Sequence, residues 1–371
     1  MKKVLFTATV DSHILAFHLP YLKYFKDNGY EVHVATNGAE AIPYTDVKHI
    51  VPFERSPLKP GNIRAILSLK KIIEKEKFDI IHTHTPMGAA VTRIAAIGSR
   101  KRNKTRVIYT AHGFHFFTGA PLQNWLLFYP VEKLLARYTD TLITINKEDY
   151  ERSRKKFKTE VRYVPGVGID PEKFDSQMTE SEKSGLRKSL GLKENDFVLI
   201  FPAELNRNKN QILLINAMEK LVEQYPDIQL LLPGKDSYNG RYQAIVQAKQ
   251  LEHNVHFLGH RKDIPELLQI TNLVVSSSLR EGLPVNIMEA CYTGLPIIST
   301  NSRGNRDIVR NNVNGFLVDP KDDKEFAERI TELINDKELY KKFAKNNKIE
   351  AKKYLLDGIL GNAIDIYQVL S

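Results

Sequence analysis

Arg280-Glu281-Gly282-Leu283-Pro284-Val285-Asn286-Ile287-Met288-Glu289-Ala290 is the stretch on which the fold turns. It follows a short β-branched run, Leu273–Ser276, and leads into a helical pattern that begins near Val285. Two carboxylates, Glu281 and Glu289, stand eight positions apart across the turn. Free amides at a helix start can face a phosphate, and the helix dipole favours the negative charge there. With Glu281 in the loop and Glu289 about one turn into the helix, both could reach hydroxyls of a bound nucleotide sugar. The same spacing fits a helix with one exposed carboxylate and one capping it, and spacing alone leaves both readings open.

Working outward, this strand–loop–helix unit is one of many. In the first half, Val4–Thr9, Glu31–Ala35, Ile80–Thr83, Val107–Ala111 and Thr141–Ile145 read as strands. The helical stretches between them are Phe17–Asn28, Ala65–Lys77 and Ala89–Ile97. After Pro165-Gly166-Val167-Gly168 the rhythm restarts. Phe197–Ala203, Ile228–Leu232, Val255–Leu258, Leu273–Ser276 and Pro296–Ser299 read as strands, and Gln211–Gln224 as a helix. Strands alternating with helices of this length imply parallel βαβ units. The expected fold is therefore α/β, with two Rossmann-like doubly wound domains at 1–168 and 169–354 and the ligand cleft between them. The tail reads as mostly helical, with Gly358 and Gly361 interrupting it, and a helix over about 355–371 is placed back on the first domain.

A length of 371 residues agrees with two domains at roughly 150 residues each. With 42% hydrophobic and 26% charged residues the composition is globular, not disordered. No apolar run reaches membrane-spanning length. The N-terminus passes straight from two lysines into a strand and does not read as a signal peptide. Cys291 is the single cysteine, which excludes disulfides and cysteine zinc sites and fits a reducing cytoplasm. Residues 1–170 carry 27 Lys and Arg against 16 Asp and Glu, and the rest of the chain 27 against 28. The basic character thus belongs to the first half; such a face can attract nucleic acid, anionic lipid or a phosphorylated substrate, and it equally fits a solvated surface.

Glu-x7-Glu followed by Ala-Cys-Tyr-Thr-Gly-Leu-Pro-Ile-Ile resembles the signature of the family 4 retaining glycosyltransferases, which have the two-domain GT-B fold. Further segments match in order along nearly the whole chain. They are His82-Thr83-His84-Thr85-Pro86, Thr110-Ala111-His112-Gly113, Gly168-Ile169-Asp170-Pro171, Ala203 to Lys209, Phe257-Leu258-Gly259 and Asn314 to Val318. The resemblance implies that Glu289 binds the ribose hydroxyls of the nucleotide and Glu281 the donor sugar. It places the diphosphate on the amides of Val285 and Asn286, beside Leu283. Lys209 would neutralise the departing diphosphate, where developing charge is usually stabilised most. His112 would lie near the anomeric carbon, and the loop with Arg261 would receive the base. Relatives usually carry an arginine five residues before the lysine; this chain has Glu204, so Arg207 substitutes or Lys209 acts alone.

On the acceptor side, Asp11-Ser12-His13-Ile14 stands where many relatives have a Gly-Gly pair. With Ala111-His112-Gly113-Phe114-His115-Phe116-Phe117, this resembles the bacterial capsule and exopolysaccharide subgroup. Ser12, His13 and His84 are the expected acceptor-loop residues. His82 and His84 share one strand face, but no third ligand with zinc spacing is evident, and the family is generally metal-independent, so neither metal nor cofactor is expected. The implied reaction retains configuration, moving sugar from a UDP-sugar to a polyprenyl-diphosphate-linked saccharide. The protein would sit peripherally on the inner face of the membrane. The aromatic-rich stretch Phe114–Pro130 suits either docking at lipid headgroups or core packing.

Two other function classes remain in view. A sugar-nucleotide 2-epimerase has the same fold and needs no acceptor. A nucleic-acid binder would use the basic half, but its charge runs hold no recognisable motif and no interleaved aromatics. A dinucleotide oxidoreductase lacks its G-x-G-x-x-G after the first strand.

Overall fold

The computed structural model describes residues 1–57 and 59–369; the last two residues of the expected C-terminal helix lie outside this range. Seven strands form one all-parallel sheet: β1 (Lys3–Thr7), β2 (Glu31–Thr36), β3 (Val47–Ile50), β4 (Ile80–His84), β5 (Arg106–Ala111), β6 (Thr141–Thr144) and β7 (Glu160–Tyr163). Their order is β3-β2-β1-β4-β5-β6-β7. Six strands form a second: β8 (Phe197–Ile200), β9 (Ile228–Pro233), β10 (Val255–Gly259), β11 (Leu273–Ser276), β12 (Ile297–Thr300) and β13 (Phe316–Val318), in the order β10-β9-β8-β11-β12-β13. Every pairing in both is parallel.

Side-chain alternation explains the apolar runs. In β1, Val4 and Phe6 pack on one face of the sheet and Leu5 on the other, and Ile80 with Ile81 and Ile108 with Val107 divide in the same way. A parallel sheet covered by helices on both faces needs apolar side chains at every position. The second sheet packs Leu199, Phe201, Leu230 and Leu232 under the helices Gln211–Leu221 and Asp323–Asn335.

The chain divides into two compact units, Met1–Val167 with the segment from Ile359 onward, and Gly168–Gly358. The tail departs from expectation in one respect. Gly358 and Gly361 do not interrupt it, because the helix Leu356–Val369 runs through both. Each glycine costs a helix about 1 kcal/mol relative to alanine. Ile359, Ala363, Ile366 and Tyr367, spaced for one helix face, are buried in the first unit's core and outweigh that cost.

Each sheet has one place where its strand order reverses, between β1 and β4 and between β8 and β11. In open α/β sheets the crevice beyond the carboxyl ends of such strands is where ligands bind. The loops after β1 and β4 and those after β8 and β11 are therefore the ones that build sites.

Candidate active site

In the second unit, the loop after β8 and the loop after β11 are stitched together. Asn208 Nδ2 donates to the Arg280 carbonyl (3.0 Å), the Leu279 amide to the Asn208 carbonyl (2.8 Å), and Ser277 Oγ to the Lys209 carbonyl (2.7 Å). These bonds hold Lys209 and Glu281 together, with Lys209 Nζ 2.5 Å from Glu281 Oε1. The helix that follows is Val285–Thr293, preceded by Pro284 in extended backbone and with no side chain capping its start. The capping alternative for these carboxylates is thus not realised, and the first amides of the helix stay available to a ligand. Glu289 projects from that helix half-buried, with no hydrogen-bond partner for its carboxylate among the described residues. Burial pushes its pKa up to about 7, opposed by Lys173.

Two arginines that the sequence reading did not assign stand beside this pair. Arg303 is buried and its Nε donates to the Glu281 carbonyl (3.2 Å). Arg280 is half-buried; desolvation and the neighbouring Arg303 both lower its pKa. The Arg303 loop comes this close because Gly304 lacks a side chain: a Cβ there would lie 2.5 Å from the Gly282 carbonyl oxygen. Nothing local in the sequence assigns either arginine to this pair, since Arg303 reaches Glu281 from 22 residues downstream.

In the first unit, the helix Asp11–Phe17 starts just after β1 where a glycine pair would leave a loop. Asp11 begins it, buried, accepting from Lys48 Nζ (2.5 Å) and from the Glu40 amide (3.0 Å). Ser12 is exposed, while His13 turns inward toward His112 and His84, at the ends of β5 and β4. Of the His82–His84 pair, for which the sequence showed no third ligand at zinc spacing, only His84 joins a histidine cluster. His13, His18, His84 and His112 each place a ring nitrogen within 4.8 Å of the others. They come from three segments far apart in the chain, His13 and His18 after β1, His84 at the end of β4 and His112 after β5, so local spacing could not reveal the set. Burial holds all four imidazoles neutral, His13 with a pKa of about 4. His82 lies behind them, between Tyr367 Oη (2.7 Å) and Thr110 Oγ1 (2.8 Å).

Two family models match the chain, "Glycosyl transferase 4-like" over residues 3–146 and "Glycosyl transferases group 1" over 182–350. A protein provisionally named glycosyltransferase EpsD, from Bacillus subtilis (strain 168), is 44% identical over 368 residues, covering 99% of this chain and 96% of its own. The chain belongs to the family 4 glycosyltransferases. A second relative of this transferase, from Escherichia coli, is named UDP-Gal:alpha-D-GlcNAc-diphosphoundecaprenol alpha-1,3-galactosyltransferase; it is 32% identical over 75% of this chain and 72% of its own. Among solved structures, Anabaena HepE in complex with UDP and glucose superposes with a TM-score of 0.81 over 100% of both chains at 22% identity, which establishes the GT-B fold.

Within the transferase the residues expected to act divide cleanly. Lys209, Glu281, Leu283, Val285, Asn286 and Glu289 all lie on the two stitched loops and the helix after β11 of the second unit. His13, His84 and His112 converge in the first unit. Arg261 is held by Asp263 in a two-pronged ion pair, Nε–Oδ1 2.8 Å and Nη2–Oδ2 2.5 Å, on the loop after β10. Arg207 is exposed, and Glu204 is engaged with Ser237 Oγ, so neither joins the Lys209–Glu281 pair.

Proposed function

We propose that this transferase moves a sugar, with retention of anomeric configuration, from a UDP-sugar to a saccharide carried on a polyprenyl diphosphate. One observation carries the reading: Lys209 and Glu281 stand paired beside an uncapped helix start, with Glu289 one turn along, at the order reversal of the second sheet. The name of the E. coli relative, which specifies UDP-Gal and a diphosphoundecaprenol acceptor, and the UDP held by HepE support this choice of donor and acceptor. Glu289 takes the ribose hydroxyls and Glu281 the donor sugar. The diphosphate lies on the amides of Val285 and Asn286. As the sugar leaves, Lys209 shifts its hydrogen bonds from Glu281 to the diphosphate, where charge is developing. Arg303 and Arg280 supply the positive potential that relatives draw from the arginine replaced here by Glu204. With these cations in place the donor diphosphate needs no divalent ion.

The acceptor binds the first unit, where the positive charge of the N-terminal half suits a diphosphate, with Ser12, His13 and His84 beside it. Membrane contact falls to the helix Leu122–Leu135. Its aromatic residues turn inward: Trp125, Phe128 and Tyr129 pack against the cluster that buries Phe114 and Phe116. Four of its five leucines turn outward, Leu122, Leu126, Leu127 and Leu134 being 54–73% exposed, with exposed Val131 and Pro130 beside them. A contiguous apolar stripe of this kind marks an interaction surface. Flanked by exposed Lys133 and Arg137, it fits the headgroup boundary of an anionic membrane.

The test is calorimetric titration of UDP, GDP and ADP into wild type and Glu289→Ala without added metal, followed by UDP-sugars with a lipid-linked acceptor. Selective UDP binding lost in the variant, and UDP release that requires the acceptor, are expected. A changed UDP-sugar released without acceptor would instead identify a 2-epimerase. UDP binding unaffected by Glu289→Ala would remove the donor site from this helix.

A further inference from the structure

The four-histidine cluster at the carboxyl ends of β4 and β5 is not explained by hydrogen bonding. His112 Nε2 lies 3.3 Å from His13 Nε2 and 3.4 Å from His84 Nδ1. An imidazole nitrogen has either one proton or one lone pair, so at most one of these approaches is a hydrogen bond. His18 is 3% exposed, and both of its ring nitrogens lack a partner among the described residues; so does Nε2 of fully buried His84. Buried polar atoms left in this state call for a water or an ion.

The distances have a ready chemical meaning. Two imidazole nitrogens bound at 2.0–2.1 Å to a tetrahedral zinc lie about 3.3–3.4 Å apart. The rings of His13, His84 and His112 are splayed about one point, with centroids 4.6, 5.6 and 5.9 Å apart and interplanar angles of 44–86°. His18 stacks on His84 at 3.7 Å and has its ligand atom within 4.8 Å of the other three, so a rotation of its side chain completes a fourth position. Among the described residues no carboxylate enters the cluster, so the donor set is all imidazole, which suits zinc, copper or nickel and not magnesium or calcium.

We propose that His13, His84 and His112, with His18 as fourth ligand, form a binding site for one divalent first-row transition ion of the zinc class. The ion ties the helix that follows β1 to the ends of β4 and β5, and so sets the position of His13 in the acceptor loop. It takes no part in holding the donor diphosphate, which binds the other unit. A second group, Glu31, His33 and Glu76, also meets the spacing for a metal. There Lys3 Nζ already bonds Glu76 (2.8 Å) and reaches Glu31 (3.3 Å), so the cation's place is taken by an ammonium.

The experiment uses the full chain without a histidine tag, stripped by chelator and titrated with Co²⁺ as the spectroscopic probe. The site gives a tetrahedral ligand-field band that saturates at one equivalent and is abolished by Zn²⁺. His13→Ala, at a half-buried helix position, and His112→Ala each weaken Co²⁺ binding at least tenfold. Glu76→Gln leaves the band unchanged. Circular dichroism and thermal unfolding establish that each variant is folded. A folded wild type with no such band overturns the proposal, as does a band that survives both histidine substitutions or disappears in Glu76→Gln.

Discussion

At pH 6 only about one Glu289 side chain in eleven is ionised, and at pH 8 about ten in eleven, if its pKa is about 7. The cause is desolvation on the helix Val285–Thr293, with Lys173 as the opposing charge. A carboxylate accepts hydrogen bonds at both oxygens, whereas the protonated acid gives up part of that capacity to its own proton. If Glu289 receives the ribose hydroxyls, nucleotide binding selects the ionised form, and affinity should rise about tenfold, or ~1.4 kcal/mol, from pH 6 to pH 8. The terminal phosphate of UDP titrates in the same range, near pH 6, so the informative quantity is the ratio of wild-type affinity to that of Glu289→Gln. Calorimetry at both pH values, in two buffers of different ionisation enthalpy, gives that ratio and the number of protons released. The ratio should grow about tenfold, and wild type should release close to one more proton than the variant at pH 6. A ratio that stays within twofold across this range refutes the role assigned to Glu289.

The same carboxyl should affect folding in the opposite direction. Its folded pKa lies above the unfolded value, so the native state holds the extra proton, and its stabilisation is lost as pH rises from about 4.5 through 7. Thermal unfolding without ligand should show wild type losing up to about 3 kcal/mol relative to Glu289→Gln over that window. Lys209→Ala should lower turnover by the equivalent of about 2–4 kcal/mol, the scale for one lost charge-stabilising donor; single-turnover rates within a few-fold of wild type would count against its role. Gly304→Ala forces a methyl to within 2.5 Å of the Gly282 carbonyl. It should cost about 1–3 kcal/mol of stability, and UDP affinity should fall with it, because Arg303 moves; both are read by melting and calorimetry. Replacing Leu126 and Leu134, 68% and 54% exposed, by aspartate should cut sedimentation with phosphatidylglycerol vesicles at least tenfold while leaving the melting temperature near wild type. Undiminished sedimentation would place the membrane face elsewhere.

The alternation of β-branched runs with amphipathic stretches was enough to read two parallel α/β sheets, because side-chain period is a local property of the chain. The strand Leu273–Ser276 and the helix start near Val285 were legible for that reason, and so were the two carboxylates on either side of the turn. Short strands with weak patterning, Val47–Ile50 and Glu160–Tyr163, were not: their half-polar sequences are strands because a parallel neighbour supplies the hydrogen bonds. The glycines at 358 and 361 read as breaks since helix propensity is local, but docking of Ile359, Ala363 and Tyr367 into a core is not. The stretch from Phe114 to Pro130 was singled out for its aromatic residues, with lipid docking and core packing both left open; which side chains face outward depended on how the helix Leu122–Leu135 packs, and packing turned the aromatics in and four of its five leucines out. Local motifs, through the resemblance they carry, could therefore name Glu281, Glu289, Lys209 and His112 as candidates. Placing Arg303 beside Glu281 took a loop crossing 22 residues downstream, and gathering His13, His18, His84 and His112 took three strands brought side by side. Residue type and spacing are carried by the chain itself, whereas the meeting of groups distant along it exists only once the sheet has closed the distance.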